Sequence, residues 1–250
     1  METLTSTSRS NTPGNEKERE RGAARSAESL AVVAYERIED LIVHCELRPG
    51  ADIRVQDLQD LIGIGRTPVH QAVRRLAAET LIQIRPRDGL RISPIDLGRD
   101  RRLLQLRRDM DRFSVQLAAE KLSANQRNRL MRLDRSISER RSAMDVHEFN
   151  GYDRELDAII LDAADEPFLE RTLRPLHTIF RRTGHVYLVE LGGEDGLQQT
   201  IACHIDLLHA VLEQNAVEAS RASDRLISFA DSMFGRLERE IDPKLIDARA

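Results

Sequence analysis

The chain has 250 residues, enough for one large domain or two modest ones, and its 38 basic and 42 acidic residues give a net charge of −4. That balance excludes a uniformly basic nucleic-acid coat, so a DNA-binding surface has to be a local patch. No apolar run of 18 residues predicts a membrane span. The two cysteines, Cys45 and Cys203, stand in no CxxC spacing, which excludes a structural zinc site and is typical of a cytoplasmic protein.

The first part of the chain, residues 1–28, is polar and carries almost no large apolar side chains. Such a segment cannot bury enough surface to offset the entropy lost on ordering, so we predict a disordered tail. From Ser29 onward apolar residues recur at helical spacing until a Pro-Gly turn at residues 49–50. We therefore place the start of the first folded domain at residue 29.

Two short helices and a hairpin are predicted next. The first helix covers about residues 55–62, with Leu58 and Leu61 directed inward, and a glycine ends it. The second covers about residues 67–79 and begins at a Thr-Pro pair, because threonine can cap a helix and proline is tolerated in its first turn.

A β-hairpin follows these helices. Residues 81–84 and 90–92 have the composition of short strands, and the Asp-Gly pair at 88–89 favours a tight turn between them. Three helices followed by a hairpin predict a winged helix-turn-helix domain over residues 29–94.

Only helical patterns follow Pro94. Apolar residues step by three and four along the next segment, as an amphipathic helix requires: Leu103, Leu106, Met110, Phe113 and Leu117. A long helix is expected over about residues 167–189, interrupted by glycines at 192–193. We predict an all-α bundle of about six helices over residues 95–240 and a tail at 241–250, so the fold class is mostly α.

Positive charge is concentrated in the helix-turn-helix, although residues 31–94 carry nine basic and nine acidic residues. The second helix of such a unit enters the major groove with its N-terminus first. Arg66 is placed to contact guanine, Thr67 to donate to a phosphate, and His70 and Arg74 lie further along the same helix. In the wing, Arg85, Arg87 and Arg91 cluster beside Gly89. We predict that Arg66, Thr67, His70, Arg74, Arg87 and Gly89 form the DNA-binding surface.

The sequence RTPVHQAVRRL at residues 66–76, after LRPG at 47–50 and before DG at 88–89, resembles the GntR family of bacterial transcription factors. The helical remainder is similar to the FCD effector domain of the FadR subfamily. Its marks are the segments at 106–111, 153–157 and 164–169.

The resemblance implies a cytoplasmic homodimer that binds a palindromic double-stranded DNA operator, most often as a repressor, and responds to a small-molecule effector such as an organic acid. Family positions for DNA contact fall on Arg66, Thr67 and His70, with the wing at Gly89. Two positions depart from the family: Gly65 replaces a hydroxyl residue, and His70 replaces a second arginine. These departures bear on the operator sequence rather than on DNA binding itself.

Many FCD domains hold a divalent metal with one aspartate and three histidines. The resemblance places those four positions on Asp153, Asp157, His204 and Leu226, of which only Asp153 and His204 match. Asp153 and Asp157 are four residues apart and share one helix face. The His-rich form of the site is therefore expected to be lost, while a polar effector cavity remains.

Two carboxylates near a core need a partner or a shifted pKa, and three partners remain open. The first is a hard ion such as Mg²⁺ or Mn²⁺ held by Asp153, Asp157 and His204. The second is a protein cation, either protonated His204 or Arg107, and the third is a cationic effector. Arg107 itself has two interpretations: it binds an effector carboxylate, or it pairs with Asp111 one turn away. The other histidines, His177, His185 and His209, are interpreted as core or surface residues.

Three classes of function compete. A ligand-responsive transcriptional regulator is the leading interpretation, and we expect no enzyme activity. The alternative is a metal-dependent enzyme using Asp153, Asp157 and His204, but no nucleophile–base pair or phosphate loop accompanies these residues. The third is a helical dimerisation protein whose wing binds another protein.

Overall fold

The computed structural model describes residues 29–250, and the tail predicted over residues 1–28 lies outside this range. The N-terminal part contains a helix α1 over residues 29–43, then β1 (Asp52–Ile53), α2 (Val55–Ile62), α3 (Arg66–Ala78), β2 (Ile82–Arg85) and β3 (Gly89–Ile92). The strands form an antiparallel sheet in the order β1-β3-β2. This is the predicted winged helix-turn-helix, packed around fully buried residues such as Ile38, Leu58 and Leu76.

Two details of this region differ from the sequence analysis. Strand β1 was not predicted, because two residues are too short for an alternating pattern, and it forms only by pairing Asp52 with Arg91 and Ile53 with Leu90. Leu61 is 57% exposed, whereas Ile62 is buried beside Leu58. The left-handed Gly63 ends α2 directly after Ile62, so the short helix has room for only one inward stripe.

The C-terminal part is the predicted all-α bundle. Its elements are α4 (Leu97–Lys121), α5 (Ala124–Arg140), α6 (Val146–Ala164), α7 (Pro167–Tyr187), α8 (Gly193–Leu212), α9 (Ala216–Glu240) and the short α10 (Pro243–Ile246). The largest core of this part brings together α4, α5, α6, α8 and α9. No helix within residues 29–250 is long and apolar enough to cross a membrane.

The junction between α7 and α8 is not the break that two glycines suggest. A π-helical turn, Leu188–Gly192, carries the chain directly from one helix into the next. A Cβ atom on Gly192 would lie 2.8 Å from the ring of Tyr187, and Gly193 has a φ of +57°. The glycines therefore permit a tight continuation instead of ending the helix.

Helix α4 buries only part of the predicted apolar face, since Leu103, Met110 and Leu117 pack against a core formed by α6 and α7. Leu106 and Phe113 are 48% and 52% exposed, while Arg107 and Asp111 are buried. For Leu106 and Phe113 the prediction was wrong, because burial on this helix follows an internal ion pair as well as apolar contact. An unpartnered apolar strip therefore remains on the outer side of α4.

The last residues fold back onto the winged helix-turn-helix. The Ala248 N–H donates to the carbonyl of Pro49 over 2.8 Å, and the Ile95 N–H donates to that of Ile246 over 2.9 Å. The Arg91 Nη2 atom donates to the Asp247 carboxylate over 2.8 Å. The segment predicted as a tail from residue 241 is thus a docked structural element.

Candidate nucleic-acid interface and buried cavity

The first turn of α3 is exposed and has no side-chain cap. Its N-cap is Gly65, and not the Thr67 that the sequence suggested. Because the first N–H groups of a helix have no intrahelical partner, an uncapped start leaves them available to an anion such as phosphate. Val69 and Val73 bury the opposite face, which fixes the orientation of the helix.

The predicted contact residues lie together on the outer face of α3. Arg66, Thr67 and Arg74 are exposed and His70 is half-buried. The Arg66 Nε–H donates to His70 Nε2 over 3.3 Å, which steadies the arginine and makes the imidazole an acceptor. Within residues 29–250 neither Arg66 nor Arg74 forms an ion pair with an acid, so both guanidinium groups face solvent.

Arg75, the neighbour of Arg74, has a different role. Its guanidinium carbon lies 3.8 Å above the ring of Tyr35, and its Nε donates to Glu79 over 3.0 Å. Tyr35 also donates to Glu79 over 2.6 Å. Arg75 therefore fixes α3 to α1.

The three arginines of the wing do not form the cluster that the sequence suggests. Arg85 pairs with Asp52 at 3.6 Å, and Arg91 pairs with Asp247 at 2.8 Å. Arg87 is exposed at the tip of the hairpin, where its φ of +72° and the +92° of Gly89 form the turn. Arg87 is the wing residue that presents its charge outward.

A cavity of about 70 Å³, measured as space open to the centre of a water molecule, lies inside the helical bundle. One side is apolar and comes mainly from α9, with Leu226, Phe229 and Met233. The other side is polar and is lined by Arg107, Asn150, Asp153, Arg181, Thr200 and His204. An amphipathic small molecule would suit such a surface.

Arg181 of α7 occupies the centre of the polar side. Its Nε donates to Asp153 over 2.7 Å and its Nη2 to Asp157 over 2.6 Å, and its side chain is only 3% exposed. Burial alone would raise the pKa of Asp153, but Arg181 and His204 outweigh that effect and hold this pKa well below its ordinary value. Asp153 is therefore ionised, and it shares the guanidinium of Arg181 with Asp157.

Two histidines complete the network. His204 Nε2 lies 3.1 Å from Asp153, and its Nδ1 lies 2.7 Å from the carbonyl of Thr200. Burial disfavours its charged form, but Asp153 raises the pKa of His204 above its ordinary value.

His177 lies between two carboxylates. Its Nε2 is 2.8 Å from Asp111, and its Nδ1 is 3.1 Å from Asp157 in an ion pair without hydrogen-bond geometry. Burial opposes the charge on His177, but Asp157 and Asp111 raise its pKa to about 9. His177 is therefore protonated at neutral pH.

Arg107 forms the ion pair with Asp111, which was the second of its two predicted roles. Its Nε donates to Asp111 over 2.8 Å within the same helix, and its guanidinium carbon lies 5.1 Å from the centre of the Phe180 ring. Arg107 nevertheless lines the cavity. It is held in place by Asp111 and remains in reach of a ligand.

The metal expected from Asp153, Asp157 and His204 does not fit this arrangement. Each carboxylate already gives an oxygen to Arg181, and Leu226 supplies only methyl groups at the fourth position. A divalent ion would have to displace a buried guanidinium.

Sequence reasoning missed Arg181 and the contacts of His177 with Asp111 and Asp157. Arg181 and His177 lie on α7, and Asp111 lies on α4, so each is far along the chain from Asp153 and Asp157 on α6. The one available signal was a pair of carboxylates on the buried face of α6 with no second imidazole beside them. Such carboxylates require a cation from elsewhere in the chain.

Helix α7 contacts both the winged helix-turn-helix and the helical bundle. Ile179 is buried in the core of the winged helix-turn-helix, and Thr178 hydrogen-bonds to the buried Glu39 of α1. Arg182 donates to the carbonyl of Ser93, in the connection to α4, over 2.8 Å. The residue between these contacts, Arg181, lines the cavity.

Comparison with known proteins gives two family matches. Residues 30–92 match the family described as bacterial regulatory proteins, gntR family, and residues 102–229 match the FCD domain. An uncharacterised helix-turn-helix regulator of Streptomyces ambofaciens is 29% identical over 119 residues, which are 48% of this chain and 50% of that protein. The chain thus spans about half the length of that relative.

Two further relatives extend the comparison. The transcriptional repressor RspR of Escherichia coli is 22% identical over 72% of this chain and 78% of its own length. The solved structure of E. coli McbR/YncC has a TM-score of 0.72 at 18% identity, covering 84% of this chain and 99% of that one. A regulator from Rhodococcus has a TM-score of 0.64 at 16% identity, over 82% and 97% of the two chains. At these identities the two structures show the fold alone.

The matched families cover both parts of the chain. The FCD match alone spans half of it, and the winged helix-turn-helix match precedes it in the expected order. Since these families contain regulators, the metal-dependent enzyme is excluded. The chain is a GntR-family transcriptional regulator with a C-terminal FCD effector domain.

Proposed function

We propose that this regulator is a cytoplasmic repressor that binds a palindromic operator as a homodimer and releases it when a small organic acid enters the cavity. Arg66, Thr67, His70 and Arg74 would contact the major groove, and Arg87 with Gly89 the backbone beside it. The exposed, acid-free guanidinium groups of Arg66 and Arg74 support this role.

The charge of the cavity network is the observation that carries the choice of effector. The basic groups in direct contact are Arg107, His177, Arg181 and His204, and the carboxylates are Asp111, Asp153 and Asp157. All four basic groups line the cavity, whereas Asp153 is the only one of the three carboxylates that does. A lining with more basic than acidic groups favours an anion, so a ligand with one carboxylate and an apolar body fits both sides of the cavity.

In this proposal Arg107 and His204 face the carboxylate of the effector. Asp153 and Asp157 act indirectly, because they hold Arg181 at the cavity wall. No metal is required in the cavity. An effector that pulls Arg181 would move its neighbours on α7, Thr178 and Arg182, which contact α1 and the domain connection.

The apolar strip on α4 supports the homodimer. Leu106 and Phe113 are seven residues apart, on one helix face, and both are about half exposed. A two-fold dimer matches a palindromic operator because each winged domain then meets an equivalent half-site.

The test combines operator binding with a ligand screen. Double-stranded DNA from upstream of the protein's own gene is titrated by fluorescence anisotropy, and small carboxylic acids are screened for thermal stabilisation of the protein. An acid that stabilises the protein should lower operator affinity. His204→Gln removes the charge on His204 and should weaken that acid at least about tenfold without changing operator affinity.

The exposed His209, paired with Asp134 at 3.0 Å, provides the matched control. His209→Gln should bind the acid like the unmodified protein. The effector assignment fails if no acid stabilises the protein, or if His204→Gln and His209→Gln bind it equally well.

A further inference from the structure

A second group of titratable residues lies where the winged domain meets the helical bundle. Asp40 and His44 are one turn apart near the end of α1, and His147 is the second residue of α6. One ligand atom from each lies within 4.8 Å of the other two. None of these residues belongs to the cavity network.

His44 is arranged as metal-binding histidines usually are. Its Nδ1 lies 2.9 Å from the backbone carbonyl of Asp40, which can only accept, so Nδ1 carries the proton. Its Nε2 therefore presents a lone pair, and it is buried without a hydrogen-bond partner in residues 29–250. The side chain is only 5% exposed. A hydrogen bond from one ring nitrogen to a carbonyl orients the other nitrogen toward a metal.

The two oxygens of the Asp40 carboxylate have different contacts. Its Oδ1 accepts from Arg154 over 2.9 Å, while its Oδ2 lies 3.5 Å from His44 Nδ1 and 3.9 Å from His147 Nε2. Arg154 thus holds Oδ1, and Oδ2, which lies on the Nδ1 side of His44, would turn toward an ion bound at Nε2. His44 and Arg154 help to lower the pKa of Asp40 to about 2, so it is ionised.

His185 of α7 provides a further neutral imidazole. Its ring meets that of His44 edge-on, with the centres 5.2 Å apart. Burial, together with His44 and His147, lowers the pKa of His185 to about 4. The Asn150 side chain lies 3.4 Å from His185 Nδ1, so His185 packs against His44 from outside the set of three ligands.

We propose that Asp40, His44 and His147 bind a divalent transition-metal ion. Imidazole-rich sites with one carboxylate favour borderline ions of the zinc type over Mg²⁺ or Ca²⁺. The His147 ring stacks on His44 with the centres 4.0 Å apart, so it turns edge-on to bind. Its side chain is 65% exposed, which leaves room for that rotation. The ion would tie α1 to α6.

The experiment is a Zn²⁺ titration of the full chain, purified without an affinity tag and treated with a chelator. We expect one ion per chain and a rise in Tm on binding. His147→Ala should lower zinc affinity at least about tenfold, and its exposure means that the fold should be retained. His44→Ala should have the same effect.

Two other variants separate this site from alternative locations. His209→Ala removes an exposed, acid-paired histidine of the surface, and His204→Ala removes the histidine of the cavity. Both should bind zinc like the unmodified protein. The proposal is overturned if the chain binds no zinc, if His147→Ala binds it unchanged, or if His204→Ala is the variant that loses it.

Discussion

The arginines of this protein fall into two groups that differ in their partners. Arg66 and Arg87 are exposed at the start of α3 and at the wing tip, while Arg181 lies in the cavity wall between two aspartates. A guanidinium in water can exchange its hydration for a phosphate or a base edge. A buried guanidinium already pairs with carboxylates, and its removal leaves those carboxylates buried without a partner. The location of an arginine therefore separates those available to contact DNA from those that stabilise the fold.

The largest effect is expected from Arg181→Met. This change leaves Asp153 and Asp157 buried without their shared cation, so we expect a loss of about 3–5 kcal/mol in the free energy of unfolding. Denaturant unfolding followed by circular dichroism measures it. Arg174→Met on the same helix is the control, because Arg174 is 42% exposed and pairs with Glu170 at 3.5 Å. Equal losses in the two variants would remove the distinction between buried and exposed arginines.

A second prediction concerns Asp100, a buried acid that accepts a hydrogen bond from Thr183 over 3.1 Å. Burial raises the pKa of Asp100 to about 6. Since an unfolded aspartate titrates near pH 4, the folded state binds more protons between about pH 4 and pH 6, and this group's contribution to stability falls as pH rises through that window. The loss is about 3 kcal/mol for two pKa units.

Asp100→Asn keeps an acceptor for Thr183 and removes the titration. Unfolding at pH 4, 5 and 6 should therefore show a shallower decline in the variant than in the unmodified protein. Parallel curves would show that Asp100 does not titrate in this window.

A smaller effect is expected where the C-terminal segment pairs with the wing. Asp247→Ala removes the partner of Arg91, a half-exposed contact worth about 1 kcal/mol of unfolding free energy. Asp109→Ala is the control, since Asp109 is 79% exposed and lies 3.8 Å from Arg112. If Arg91 is structural, Asp247→Ala lowers stability without raising operator affinity. A gain in DNA binding would place Arg91 in the recognition surface.

The sequence was most informative where local pattern and burial agree. The bounds of α2 and the position of the hairpin follow from glycine, proline and short apolar runs. The outward face of α4 could not be predicted, because the helix buries Arg107 and Asp111 in place of Phe113. Burial of Asp111 depends on its contact with His177, which lies on α7.

The cavity network could not be fully predicted from the sequence for the same reason. Asp153 and Asp157 indicate a site that needs a cation, but the four-residue spacing does not say which cation. Arg181 meets that need from α7, and only the packing of α6 against α7 brings it there. Pairing of Arg85 and Arg91 was equally hidden, since Asp52 and Asp247 reach them only through folding.

The central claim is that exposed arginines of α3 read DNA and that paired ones support the fold. Operator affinity at fixed salt, measured by anisotropy for Arg66→Ala and Arg75→Ala, tests it most directly. We expect Arg66→Ala to lose about 1–3 kcal/mol of specific binding, and Arg75→Ala to lose stability while keeping operator affinity. Unchanged affinity in Arg66→Ala, or a larger loss in Arg75→Ala than in Arg66→Ala, would contradict the account.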